Sequence, residues 1–258
     1  MLKPFYERRD GRFFPTSATI GPWDPRLQHG SPLAALIATH VEADKSPLRM
    51  AQLTLHFLGP VGLEPLDVQH TVVRPGKKIA LSSVTVAGAR PLIKAEICRV
   101  SVAEEDLAPA IHVEPAPPLP EARAIELFPG VPSFGYGESL EWRFVSGSFA
   151  ELGPATVFSR LLVPVVGDEP PSPVARMLAM VDSANGISAE LDVRRWLFVP
   201  VSLTVSLARV PTGEWMGMSA RTVIVPGGGG TTTATLFDEK GTVGEALQTL
   251  FVEKRRVP

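Results

Sequence analysis

A carboxylate at the end of an apolar helix is the first feature of this chain that could do chemistry. Residues 172–182 read SPVARMLAMVD, with apolar residues at helical spacing and Asp182 last. A helix C-terminus favours cations, so an acid there, beside apolar neighbours, is a candidate for a raised pKa and a general base. The alternative is a partly exposed Asp182 that caps the turn Ser183–Gly186. A second place for chemistry is the run His29-Gly30-Ser31, which opens another apolar helix. Unpaired N–H groups at a helix start suit a developing oxyanion. Gly30 would let a ligand approach the backbone, and Ser31 would cap the helix. His29 is either a further donor or a turn residue, and Pro32 removes one amide. His29, Gly30 and Ser31 are therefore the expected substrate-binding residues.

Other chemistries find little support. No Ser stands in a Gly-x-Ser-x-Gly elbow. His40, His56, His70 and His112 lack ligand spacing with acidic partners, so neither metal nor cofactor is expected. The single cysteine, Cys98, lies between Ile97 and Val100 and reads as a buried strand thiol. Gly227–Gly230 follows a strand without opening a helix or supplying Lys-Ser/Thr, which makes it a hairpin turn. Gly135-Tyr136-Gly137 resembles half a glycine fingerprint but falls in a linker and carries no weight.

The elements that must position Asp182 come in two copies. Residues 31–41 read SPLAALIATHV, and both helical runs begin with Ser-Pro, a cap followed by a residue suited to the first turn. Leu33, Leu36, Ile37 and Val41 match Val174, Met177, Leu178 and Val181 in spacing. Leu53-Thr54-Leu55 is similar to Leu203-Thr204-Val205, and Val72–Gly76 to Val223–Gly227, each ending in a Pro-Gly hairpin signal. Strand-like runs follow at 78–87 and 230–238, then near 91–103 and 243–253, and others precede the helices near 12–19 and 140–163. The proline-rich run 115–120, PAPPLP, divides the copies as an extended linker. The expected organisation is an N-terminal module over 1–105, a linker over 106–138 and a C-terminal module over 139–258. Each module is a helix followed by four antiparallel strands, so the fold class is α+β, a double hotdog. In this comparison Asp182 falls where the first copy has Val41, and Gln248 where it has Ile97. Buried polar groups need a reason, so the pair marks either one surviving site between the modules or side chains that face solvent in one copy only.

Composition bounds the partners. The 258 residues carry a net charge of −2, which argues against nucleic acid. Lys254-Arg255-Arg256 reads as a solvated end. No apolar stretch approaches the ~20 residues of a membrane span, and the charged N-terminus lacks a signal core, so a cytoplasmic protein is expected.

The motifs resemble the thioesterase-like superfamily, specifically the bacterial acyl-CoA thioesterase II type. Gly21-Pro22-Trp23-Asp24, Gln28-His29-Gly30 and Pro32–Leu36 look like that family's first helix, with Ser31 at a position that more often holds glycine. Phe57–Val61, Val73–Lys77, Asp182–Gly186, Arg209, Gly213-Glu214-Trp215 and Leu247-Gln248 also fit. The resemblance implies an acyl-CoA substrate and a water held by an Asp, a Thr or Ser (sometimes Asn) and a Gln. Asp182 and Gln248 match the first and last. The third position falls near Pro200, which has no side-chain donor, and Ser202 is the neighbouring candidate. It also implies pairing into a homo-oligomer, a dimer. A binding protein that keeps the acyl pocket without turnover is the alternative, and a hydratase using Asp24 with His29 is a third.

Overall fold

The computed structural model describes residues 3–102 and 114–255; His112, Arg256 and the start of the expected linker lie outside the described residues. A hairpin of β1 (Tyr6–Arg9) and β2 (Arg12–Pro15) precedes helix α1 (Gly30–Glu42), followed by β3 (Arg49–Phe57), β4 (Asp67–Arg74), β5 (Ile79–Ala87) and β6 (Pro91–Val100). A helical turn α2 (Gly135–Glu138) leads into the second copy: β7 (Leu140–Ser146), β8 (Ala155–Leu161), α3 (Pro173–Val181) and the turn α4 (Ala184–Ile187). Strands β9 (Trp196–Leu207), β10 (Trp215–Ile224), β11 (Gly230–Asp238) and β12 (Gly241–Lys254) complete it.

Ten strands form one sheet in the order β4-β5-β6-β3-β9-β12-β11-β10-β8-β7. From the β3/β9 junction outward, the two halves repeat one order in opposite directions. Antiparallel pairing of β3 with β9 sets Leu53 against Val205, Thr54 against Thr204 and Leu55 against Leu203. The Thr54 and Thr204 hydroxyls are 3.2 Å apart. Equivalent residues of the repeat thus meet across a pseudo-twofold axis, and the pairing removes two open sheet edges.

Both long helices lie on one face of this sheet and pack against each other. They run antiparallel. Ser31 at the start of α1 accepts a hydrogen bond from the Asp182 N–H at the end of α3 (3.1 Å), and Ser172 before α3 donates to Glu42 Oε2 at the end of α1 (2.5 Å). Leu33 to Ala38 and Val41 are all buried, so α1 is apolar nearly all round, as a helix wrapped by sheet must be. On the far face of the sheet, Phe158, Trp215 and Phe237 form a separate aromatic cluster covered by Ala116 and Leu119 of the proline-rich segment.

The shared Ser-Pro signal does two different jobs. Ser172 caps α3 as expected, its hydroxyl accepting the Ala175 N–H at 3.0 Å. Ser31 is not a cap. Helix α1 begins earlier in the repeat, and its N-cap is His29, whose Nδ1 accepts the Ser31 N–H at 3.1 Å. The Ser31 hydroxyl is thereby free to reach across to the other module. Ser172→Ala removes a cap, and we expect the free energy of unfolding in urea to fall by about 1 kcal/mol; an unchanged value would show that the cap contributes nothing.

Candidate active site

Asp182 sits at the C-cap of α3, directly against the start of α1. It is buried, and so is Gln248 of β12. The register explains why these two meet: Gln248 pairs with Leu203 and Ile97 with Leu53, equivalent places in the two copies, so Gln248 points to the helices as Ile97 does. Gln248 Nε2 donates to Asp182 Oδ1 (2.9 Å) and to the Asp182 carbonyl (3.1 Å). The amide's orientation is fixed from the other side, because Gln248 Oε1 accepts the Asn185 N–H (3.1 Å) while Asn185 Nδ2 donates to the Phe198 carbonyl (2.8 Å).

Burial pushes the Asp182 carboxyl up to about 7, with Gln248 and the Gly30 backbone amide favouring its charged form only in part. Gly30 is needed sterically as well: a Cβ there would collide with the carboxylate and with the Phe57 ring. His29 Nδ1 lies 3.8 Å from Asp182 Oδ2. The two do not form an ion pair. Nδ1 already accepts the Ser31 N–H, and burial pushes the imidazole down to about 3, so the ring is neutral with its proton on Nε2.

A residue without weight in the sequence completes the cluster. Tyr136, on α2, stacks face to face on His29 with centroids 3.8 Å apart. Its hydroxyl lies 2.6 Å from Ser183 Oγ and donates toward the Ala179 carbonyl (3.0 Å) and Ser31 Oγ (3.2 Å). The flanking glycines allow this: a side chain on Gly135 would meet the Ser17 backbone, and one on Gly137 would meet Phe134 and Leu127. A tyrosine between two glycines that must admit close neighbours is the signal that could have been read.

Ser202 stands elsewhere. Between Thr249 and Leu250 the β12–β9 register shifts, so Leu250 faces Pro200 and Thr249 faces Ser202. Val201 is the extra residue of a bulge, which reverses the side-chain alternation. Pro200 therefore faces the site, while Ser202 shares the outer face with Thr204. Asp24, considered with His29, is instead gripped by Arg26 at 3.0 and 2.6 Å and held near 2.

Two cavities meet at Trp23, His29, Asp182 and Pro200. The larger, about 430 Å³, is walled mostly by apolar side chains including Leu33, Phe57, Val199 and Phe251. The smaller, about 30 Å³, is lined by aromatic rings with Ser183 and Asn185. It is large enough for a water and offers it polar partners. At the other end of the helix pair, Val41 and Ile97 replace the polar couple. There a cavity of about 290 Å³ is bordered by the Arg99–Asp44 ion pair (2.6 Å) and by Glu42.

Two wrapped helices on one continuous sheet make this a double hotdog. Residues 19–103 match the acyl-CoA thioesterase N-terminal domain and residues 112–252 the acyl-CoA thioesterase C-terminal domain; the chain belongs to the acyl-CoA thioesterase family. Solved structures agree in fold. A hotdog protein of unknown function from Alicyclobacillus acidocaldarius superposes with a TM-score of 0.71 at 16% identity, covering 96% of this chain and 95% of its own. The TesB protein of Mycobacterium avium subspecies paratuberculosis gives 0.68 at 13%, covering 95% of each. An acyl-CoA thioesterase II of Mycobacterium marinum gives 0.65 at 14%, covering 96% and 93%. No curated protein matches the chain in sequence.

The raised Asp182 pKa is also a stability statement. Between the unfolded value of about 3.9 and the folded value of about 7, the folded chain binds a proton that the unfolded chain does not. Stability from this group is complete below that window and is lost as pH rises through it. Asp182→Asn mimics the protonated acid. At pH 8 it should be more stable than the wild type by on the order of 2–4 kcal/mol, with the gap closing toward pH 4. A variant no more stable than wild type at pH 8 would contradict the raised pKa.

Proposed function

We propose that the protein hydrolyses an acyl-CoA thioester with water activated by Asp182. The observation that carries this reading is a buried carboxylate with a pKa near 7, facing an apolar cavity at a helix start. A base poised at the working pH is half ionised and still basic enough to take a proton from water. Gln248 ties up Oδ1 and leaves Oδ2 toward Gly30 and His29. Water adds to the thioester carbonyl carbon as its proton passes to Asp182. The resulting oxyanion is met by the positive end of α1 and by the Nε2–H of neutral His29. The C–S bond then breaks, the acid is released, and the departing sulfur takes the proton from Asp182.

One feature favours a second reading, an acyl-binding protein without turnover: Pro200 and Val201 wall the cavity where a hydroxyl or amide was expected. Release of free thiol from a panel of acyl-CoAs, measured beside binding, separates the two. Asp182→Asn should lower kcat/KM by about 10³-fold, within the usual range for a lost general base. The wild-type rate should rise tenfold per pH unit below about 7 and level off above. Gln248→Ala, which removes the donor to Oδ1, should move that midpoint upward. Binding without thiol release at any pH would establish the second reading. A cytoplasmic homodimer belongs to the first reading, and a monomer mass in solution would remove that part of it.

A further inference from the structure

The large cavity has a cationic rim that the hydrolytic chemistry does not use. Arg255 sets its guanidinium 5.3 Å from the centre of the Trp23 ring, and Trp23 lines the cavity beside His29. Its backbone is fixed, the Arg255 N–H donating to the Arg195 carbonyl at 2.9 Å, and its Nε is buried without a hydrogen-bond partner. Lys254 and Arg255 share a second concavity with Glu253, and that concavity adjoins the first at Leu197. Arg90 lies against Gly59, another wall residue: the atoms nearest to a Cβ at Gly59 belong to the Arg90 guanidinium. Among the described residues, neither Arg90, Lys254 nor Arg255 forms an ion pair. The acid Asp24, by contrast, is already neutralised by Arg26.

An apolar slot with unpaired cations at its mouth fits an amphiphile with an apolar tail and an anionic head. Guanidinium groups suit phosphate oxygens, and a guanidinium resting on an indole is held in place before the ligand arrives. We propose that Arg255, Lys254 and Arg90 recognise the phosphate groups of the thiol-bearing arm that carries the acyl group. This rests on the thioester reading above. Phosphate on a pantetheine arm is common to free coenzyme A and to the prosthetic group of a carrier protein.

The test follows thiol release from three thioesters of one acyl group: those of coenzyme A, phosphopantetheine and N-acetylcysteamine, the last without phosphate. The readout is kcat/KM for the coenzyme A thioester divided by that for the N-acetylcysteamine thioester. Arg255→Gln should lower this ratio about tenfold, equivalent to about 1.4 kcal/mol, and Arg255→Lys should restore most of it. Raised salt should lower the wild-type ratio. A ratio within twofold of wild type in both Arg255→Gln and Arg90→Gln would overturn the proposal. A loss shared by the phosphopantetheine thioester locates the contact at the arm's own phosphate, and a loss confined to coenzyme A locates it at the nucleotide end; both support the proposal. Wild type inactive on all three thioesters would defeat the thioesterase reading instead. Coenzyme A titrated directly then decides: weaker binding to Arg255→Gln than to wild type supports the rim, and equal or absent binding overturns it.

Discussion

Antiparallel pairing of β3 with β9 is the constraint from which the rest of the molecule follows. With Thr54 opposite Thr204, the two copies are related by an axis through that pair. The axis forces α1 and α3 to run antiparallel on the same face of the sheet. The start of each helix must then lie beside the end of the other. Two clefts result, and in each the start of one helix faces whatever residue closes the neighbouring helix. A different register between β3 and β9 would separate Gly30 from Asp182 although every helix and strand stayed intact.

Placing a carboxylate in such a cleft is costly, and the surroundings show how the cost is contained. Gln248 gives Asp182 one strong donor, and Asn185 and the Phe198 carbonyl hold that glutamine in its orientation. The remaining burial leaves the acid basic rather than strongly ionised. His29 next to it is kept neutral and oriented by the Ser31 amide on its edge and the Tyr136 ring on its face. The cluster draws on both modules and on α2 between them. Each side chain is fixed by a neighbour from another part of the chain, which is how a site is held to hydrogen-bond tolerance.

The two clefts have diverged to opposite ends. One keeps the polar pair, the glycine and an apolar cavity. The other has Val41 and Ile97 in the equivalent places and an ion pair, Arg99 with Asp44, at its border. Arg99 is itself buried and bonded to the Val41 carbonyl at 2.5 Å. A guanidinium spent on a helix-end carbonyl and a carboxylate borders that cleft with groups already satisfied. The duplication thus leaves two chemically different clefts, with the buried acid and amide in one and apolar residues in the equivalent places of the other.

The sequence determined the elements and their repetition. Helical spacing, the Ser-Pro starts and the Pro-Gly turns are local signals. They were sufficient for the helix-then-four-strands plan, and for placing Asp182 and Gln248 opposite the apolar Val41 and Ile97. What each side chain touches was decided by the tertiary structure. Ser31 and Ser172 share one local signal but differ in role, because α1 starts earlier and frees the Ser31 hydroxyl for the other module. Ser202 faces outward because its neighbour Leu203 pairs with Gln248 and faces in, and Pro200 is turned inward by one extra residue, Val201, in a pairing between distant strands that no local pattern records. Tyr136 meets His29, and Arg255 meets Trp23, only because α2 and the end of β12 are carried to the cleft. Short-range periodicity fixes which face of an element is apolar. Contacts between elements depend on register, bulges and packing across the whole chain, and these arise only when it closes on itself.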